Sequence, residues 1–428
     1  MKIAVIGSGI AGLSAVHHLA PHHRSGRVEL TLFEADHRTG GHANTVEVES
    51  ERGTERIDTG FIVFNRRNYP VFGSMLEELE VPSKPSNMSF SVSDGGGFEY
   101  TGRNLSGLFA DRRNLFRPGF LRMLAEVPVL QRRLRRLIGS DDEMTLDDFV
   151  AREGFSPELR EKVLVPMVAS VWSADEDGMS RFPARFLARF LDNHGLLDLA
   201  DRPQWRTVEG GSRTYVDRLL GQVPEDRLRT NCPIESVGRI PGGVVVKPCG
   251  RPAETFDQVI LATHAPDSLT LLADADREET RFLEAFPYRS NEAVLHSDPA
   301  VMPTRPAAWA SWNYRLGMNS GGLTALTYDM NRLQALECKQ RFFVSLNMTG
   351  LIDPERVLAS FSYEHPVFTP DGVAAQRDRE RISGRGGVHF AGAWLRNGFH
   401  EDGAMTGKLA AEAALAGAVA EPGLAAAA

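Results

Sequence analysis

Four residues near the end of this 428-residue chain, His400, Glu401, Asp402 and Gly403, stand between an apolar run, VHFAGAWL, and an alanine-rich stretch, AMTGKLAAEAALAGAV. An imidazole beside a carboxylate can move protons to or from a reacting molecule. An aspartate can cap the helix that the alanines predict, and a glycine lets a flat ligand approach the main chain. The pattern predicts a helix beginning near Gly403 with Asp402 as its N-cap. It leaves two readings of His400 and Glu401 open, proton chemistry or the closing of a turn. His264, in the loop ATHAP after the apolar run FDQVIL, is a third candidate for proton transfer, with a solvated loop histidine as its alternative.

These groups need a scaffold, and its signature lies at the other end of the chain. The run Ile3 to Ile6 is followed at once by GSGIAG, with Gly7, Gly9 and Gly12 in GxGxxG spacing, and then by the helical pattern LSAVHHLA. Strand, tight turn and helix in this order let the backbone approach a pyrophosphate, whose charge rests on the helix start at Ile10 and Ala11. A second strand, VELTLFEA, ends at Glu34 and Ala35, and Glu34 falls 22 residues after Gly12, where a carboxylate accepts hydrogen bonds from ribose hydroxyls. GxGxxG alone is a weak signal; the strand, the helix and the acid at this distance make it a dinucleotide cradle. The glycine groups at 95–97, 210–211, 242–243, 321–322 and 386–387 lack that spacing, so no second, nicotinamide site is expected.

After the acid the chain reads EADHRTGGH (34–42) and IDTGFIVFN, with a glycine pair at Gly40 and Gly41 and an aspartate-x-glycine at Asp58, Thr59 and Gly60. This pattern resembles the start of the flavin amine oxidase and phytoene desaturase superfamily, whose dinucleotide is FAD. The resemblance implies an α/β fold in which a Rossmann-type, amine-oxidase-like FAD-binding domain is interleaved with an α+β substrate domain. Stretches 1–75, 205–270 and 385–420 would form the FAD domain, 76–204 and 271–384 the substrate domain, and 421–428 a flexible tail. Many superfamily members carry arginine after the glycine pair; here the basic contact would fall to His42. The middle stretch would add Ile234, Val237, Ala262 and Thr263 to the FAD contacts. In the superfamily a late strand leads into a helix whose start points at the flavin's pyrimidine end, which implies contacts from Gly392, Asp402, Gly403 and Ala404 and places His400 and Glu401 near the ring edge.

Several longer stretches narrow the resemblance: DTGFIVFN (58–65), MSFSVS (88–93), RNLFRPGF (113–120), FPARFLARFLDNHGLL (182–197), RPQWRTVEGGSRTYV (202–216), AAWASWNY (307–314) and GFHEDG (398–403). Together they resemble bacterial FAD-binding proteins similar to the flavoprotein portion of plant cyclopropane fatty acid synthases, over nearly the whole chain. That implies desaturation of a long acyl chain, a methylated unsaturated fatty acid within a phospholipid, by hydride transfer to flavin N5, with an acyl methyltransferase as a partner. The rival expectations are a redox-neutral double-bond isomerase, an amine oxidase, and a flavoprotein subunit without turnover of its own.

Composition bounds these readings. With 42% apolar and 24% charged residues the chain is an ordinary globular one, and a net charge of −8 argues against nucleic acid. Three cysteines without CxxC spacing point to a reducing compartment and give no metal motif. No run approaches the ~20 apolar residues of a membrane span, so a cytoplasmic protein is expected, at most peripheral to the inner face of the membrane. From Asp111 to Arg136, eight arginines, Arg112 the first and Arg136 the last, face one aspartate and one glutamate, with leucines and phenylalanines between them. Such a segment can lie on an anionic bilayer or be a solvated face over ordinary core. The histidines of HHLAPHH (17–23) read as surface groups, since Pro21 is expected to break their helix and no acidic partner follows. The triplet Asn193, His194 and Gly195 reads as a helix end. Helical spacing marks LEELEV, LDDFVARE and FPARFLARFLDNHG, and strand character marks AAWASWNY, GLTALTYDM and RFFVSLNM. Trp172, Trp205, Trp309 and Trp312 either wall an apolar pocket or fill core.

Overall fold

Along Lys2–Ile6, Ile3 and Val5 face one way, Ala4 and Ile6 the other, and all four are buried. A strand sealed on both faces belongs in the middle of a parallel sheet. The structure, a computed structural model, describes residues 1–142, 144–172, 180–193, 195, 197, 203–318 and 323–417, and in it five parallel strands run in the spatial order Val388–Phe390, Gln258–Leu261, Lys2–Ile6, Glu29–Phe33 and Leu228–Arg229. The sheet is therefore assembled from the start, the middle and the end of the chain. Ile3 and Val5 share a core with Leu13, Val16 and Ile260 beneath the first helix, Ile10–Arg24, and the last, His400–Gly417. Ala4 and Ile6 share the opposite core with Val237, Val244 and Phe256, from the antiparallel strands Ile234–Ile240, Gly243–Pro248 and Glu254–Phe256.

The first and last helices touch through small residues. A Cβ at Gly407 would lie 2.0 Å from the Ala11 carbonyl oxygen, and one at Gly403 would lie 2.6 Å from Ile10 Cγ2. Ser14 Oγ donates to the Ala404 carbonyl at 2.6 Å. Since Ile10 meets Gly403 and Ala11 meets Gly407, the helices run in the same direction and begin side by side at the C-terminal edge of the sheet.

A second, mixed sheet of seven strands has the order Val357–Pro366, Tyr288–His296, Phe343–Leu346, Leu326–Asp329, Trp312–Arg315, Phe90–Ser93 and Glu99–Thr101. The helices Pro118–Ile138, Leu146–Glu153, Val165–Trp172 and Ala184–Asn193 share its largest core. Its edge strand, Val357–Pro366, is tied to the loops that follow the five-stranded sheet's second strand by Tyr363, whose hydroxyl lies 2.9 Å from Asn44 Nδ2 and 2.7 Å from Thr59 Oγ1.

The structure departs from the sequence expectations in several places. The first helix continues through Pro21 to Arg24: the proline sits in the last turn, where it removes a single backbone bond. His17, expected to lack an acidic partner, pairs with Glu78 at 2.9 Å. In LEELEV the helix Pro70–Glu78 stops at its third residue, and the helix-rich stretch 76–204 also carries the strands Ser83–Pro85, Phe90–Ser93 and Glu99–Thr101. The helix Pro118–Ile138 turns Phe120, Met123, Leu130, Leu134 and Leu137 into the core, so its apolar stripe is not the lipid-facing surface the arginine-rich segment suggested. His194 and the tail 421–428 lie outside the described residues. Among those described, no helix is long and apolar enough to cross a membrane.

The Gly407 contact is testable by thermal and urea unfolding. Gly407→Ala forces the two helices apart and is expected to lower stability by about 1–3 kcal/mol. Gly102→Ala, where a Cβ meets nothing within 4 Å, is expected to stay within about 0.5 kcal/mol of the parent.

Candidate functional site

Three glycines of the first turn have different duties. Gly7 has φ 101°, and a Cβ there would lie 2.5 Å from the Ala262 carbonyl oxygen; one at Gly12 would lie 1.9 Å from the Gly7 carbonyl oxygen. Both are required by the protein's own packing. A Cβ at Gly9 would meet nothing within 4 Å, so the protein's own packing does not require this glycine, and the space beside it is open to a ligand. Behind it the 15-residue first helix has no acid in its first turn, which leaves its start electropositive at Ile10 and Ala11. Glu34, at the end of the second strand, accepts from Ser8 N at 2.9 Å and from Asp36 N at 3.0 Å, beside exposed Ala35. The loop of Gly40 and Gly41 folds back on this turn, with Gly40 N donating to Ser8 O at 3.1 Å. Arg38 fastens the loop by donating to the Gly41 carbonyl at 2.8 Å. Sequence reasoning passed over Arg38; its signal was a lone cation two residues before the glycine pair.

Other expected cofactor residues are engaged within the protein. Asp58 is buried and accepts from Thr45 Oγ1 (2.6 Å), Ser212 N (2.8 Å) and Ser212 Oγ (2.7 Å). Burial pushes its pKa up to about 6 against the pull of these donors. Thr59 joins Tyr363, and Gly60 packs on the His42 carbonyl. Cys232 N donates to Glu34 O at 2.9 Å and so brings half-buried Ile234 near the ribose acid. Val237 is sealed in the core with its carbonyl taken by Ala273 N at 2.9 Å. Ala262 lies against Gly7, the Thr263 carbonyl accepts from Trp394 Nε1 at 3.1 Å, and Gly392 N donates to Thr406 Oγ1 at 3.0 Å.

The last helix begins at His400 rather than near Gly403. Asp402 is therefore not the N-cap: from inside the first turn it reaches back to accept from Phe399 N at 2.9 Å and from Arg396 Nε at 3.1 Å, the return half of a capping box. Glu401 accepts from Val71 N and Phe72 N, both at 2.9 Å, and so caps the helix Pro70–Glu78. Burial pushes Glu401 up to about 7, opposed by those two amides. His400 stacks on Phe61 with centroids 3.6 Å apart, and its Nε2 lies 2.7 Å from the Tyr215 hydroxyl. Burial drives its pKa down to about 3. Both groups sit at the helix start, Glu401 with each carboxylate oxygen on a backbone amide and His400 with Nε2 on the Tyr215 hydroxyl.

His264 is placed differently. It stays half-exposed, stacks on Tyr288 at 4.5 Å, and has Nδ1 3.5 Å from Asp267. Burial lowers its pKa, with Asp267 and Glu364 opposing. His42 lies between it (6.3 Å) and His365 (5.3 Å), with Tyr363 at 5.0 Å. Burial holds His42 well below the ordinary histidine value, helped by the neighbouring His365, His264, His400 and Arg38, and takes His365 down to about 4. His42 Nε2 is buried without a hydrogen-bond partner. His365 and Tyr363 were missed in the sequence, where YEHP at a strand end was their only mark.

Aromatic rings stand beside the turn that precedes the last helix. Phe190 stacks on Phe399 (4.9 Å, 11°), Phe186 on Phe368 (5.4 Å, 26°), and Trp172 lies 4.6 Å from Phe190 while donating from Nε1 to the Asn397 carbonyl at 3.1 Å.

The open space at Gly9, the acid-free helix start, Glu34 and the orphaned His42 Nε2 fit a bound dinucleotide. Residues 10–298 match the family model described as flavin containing amine oxidoreductase. Among solved structures the fold is similar to cyclohexylamine oxidase from Brevibacterium oxydans IH-35A, with TM-score 0.69, 15% identity and 96% of this chain and 98% of that chain covered. Putrescine oxidase bound to putrescine is similar with TM-score 0.69, 13% identity and 97% and 99% covered. A CLA-producing fatty acid isomerase from P. acnes is similar with TM-score 0.69, 15% identity and 95% and 96% covered. At these identities the likeness establishes the fold. No curated protein matches the sequence significantly.

Gly9→Ala is expected to leave the apoprotein's thermal midpoint unchanged and to raise the dissociation constant for FAD, read by fluorescence titration, by about tenfold or more, about 1.4 kcal/mol; Gly12→Ala should instead fail in folding. The His400 contact has a pH signature. Its folded value of about 3 lies below the ordinary 6.5, so its neutral form contributes stability in full above pH 6.5, and this is lost as pH falls toward 3. The stability gap between parent and His400→Gln, measured by urea unfolding, is expected to narrow over that range.

Proposed function

The chain belongs to the flavin containing amine oxidoreductase family, and from that premise we propose that this FAD-dependent oxidoreductase acts on a long acyl chain, a methylated unsaturated fatty acid carried in a phospholipid, and desaturates it. The observation that carries this reading is the cluster of Trp172, Phe186, Phe190, Phe368 and Phe399, packed on one another beside the turn before the last helix, an apolar neighbourhood that suits an uncharged substrate. The fold shared with a fatty acid isomerase supports it. An enzyme that methylates acyl chains is the class that would supply such a substrate.

FAD supplies the two-electron acceptor. When it is bound, Gly9 and the first helix start would receive its diphosphate, Glu34 would take its ribose, and the start of the last helix would offer backbone amides to its ring. Loss of hydrogen from an acyl chain as hydride also releases a proton. His264, neutral and half-exposed, is assigned to accept it. His400 and Glu401 position the helix: one is packed between Phe61 and Tyr215, the other holds two amides. The same fold likeness favours a second reading, a double-bond isomerase, in which the hydrogen returns to the chain at a new carbon.

Anaerobic titration of the FAD-loaded protein with phospholipid bearing methylated unsaturated chains separates the readings. Bleaching of the flavin with a product two hydrogens lighter is the expected result. A product of unchanged mass with a displaced double bond selects the isomerase. Bleaching by alkylamines and not by lipid selects amine oxidation. His264→Asn is expected to slow the lipid-driven bleaching about a hundredfold or more while leaving the bound flavin's spectrum intact.

A further inference from the structure

Eight large apolar side chains are exposed among the described residues, and four of them fall between positions 105 and 121: Leu105 (75% exposed), Leu115 (47%), Phe116 (85%) and Leu121 (42%). They come from three short pieces of backbone, the helix Leu105–Leu108, the turn Arg112–Phe116 and the first turn of Pro118–Ile138. Buried Asn114 ties the first two of these pieces to each other and to the strand Glu99–Thr101 by donating to the carbonyls of Leu108 (3.5 Å) and Glu99 (3.2 Å). The apolar knob is therefore built into the fold rather than frayed from it.

Cations stand around it. Residues 103–122 contain five arginines and one acid, Asp111, in a chain of net charge −8. Asp111 is buried and orients two of them, Arg113 at 3.0 Å and Arg117 at 3.2 Å; Arg122 pairs with Glu126 at 2.9 Å. Arg103 and Arg112 are exposed and have no ion pair among the described residues.

We propose that this knob docks the protein on an anionic phospholipid bilayer, with Leu105, Leu115, Phe116 and Leu121 entering the interfacial layer and Arg103 and Arg112 resting on lipid phosphates. Exposed apolar area beside unpaired cations is the combination such a surface rewards. A second copy of the chain meeting the same patch would bring arginines against arginines. The docked face also leads toward the proposed site: helix Pro118–Ile138 shares its core with Ala184–Asn193, whose Phe190 stacks on Phe399. The inference rests on the acyl-lipid reading for its purpose, but it concerns vesicle binding and is measured without turnover.

The test is flotation of the full-length, FAD-loaded protein with vesicles of phosphatidylcholine alone and of phosphatidylcholine with phosphatidylglycerol. Binding is expected only to the anionic vesicles and is expected to weaken with added salt. Arg103→Gln with Arg112→Gln should weaken it by roughly fivefold per arginine, and Leu105→Ser with Phe116→Ser should abolish it. Both double variants should keep the parent's flavin content and thermal midpoint. Absence of the parent protein from anionic vesicles overturns the proposal, as does binding that survives both double variants. A dimer dissolved by the Leu105 and Phe116 changes would overturn it in favour of self-association. Turnover of detergent-dispersed lipid by a protein that ignores vesicles would sink the docking and leave the acyl-chain reading standing.

Discussion

A side chain at position 407 has no room, because the carbonyl of Ala11 already occupies the place its Cβ would take. That contact, repeated at Gly403 against Ile10 and reinforced by the Ser14 hydroxyl on the Ala404 carbonyl, holds the first and last helices closer than ordinary side chains would permit. Because they run in the same direction, their starts lie together at one edge of the parallel sheet. Each start presents backbone amides without intrahelical partners; the first has no acid in its first turn and stays electropositive, whereas the last carries Glu401 and Asp402 there. The four residues that begin the last helix divide the labour: His400 packs on Phe61 and Tyr215, Glu401 caps a neighbouring helix, Asp402 closes its own first turn, and Gly403 lets the first helix in.

The electrostatics follow from burial. His42, His365 and His400 are all pushed toward the neutral form by desolvation, so positive charge near the cofactor's expected position comes from the acid-free start of the first helix and from Arg38, not from imidazolium groups. Neutral imidazoles beside packed phenylalanine and tryptophan rings avoid the cost of a buried, unpaired charge. Asp58 and Glu401, the acids nearest this region that the sequence suggested for direct roles, are held by hydroxyl and amide donors and act on the loops and helices that carry the site.

Local signals were legible and long-range ones were not. The glycine turn, Glu34 and the five-stranded sheet's first two strands follow from a short contiguous pattern whose geometry is local. The start of the last helix was read three residues late because Asp402 and Gly403 look like a cap and a break, and only the distant partners Val71, Phe72 and Tyr215 show that His400 and Glu401 are already helical. His365 and Tyr363 approach His42 across more than three hundred residues, through strand pairing in the second sheet that no spacing rule encodes. The arginine-rich stretch fits a surface lying on a bilayer and a solvated face over core equally well in sequence; in the fold the core takes most of its helical stripe, and the exposed apolar side chains gather before and at the helix start.

The central claim, that two helix starts joined by small residues form one FAD cradle, is tested most directly by a crystal structure of the protein with FAD bound. The account predicts the diphosphate against Gly9 and the amides of Ile10 and Ala11, the adenosine ribose on Glu34, and the flavin ring reaching the first turn of the last helix within range of His42. Density for the diphosphate away from Gly9, or a ring that does not approach the His400–Gly403 turn, would contradict it.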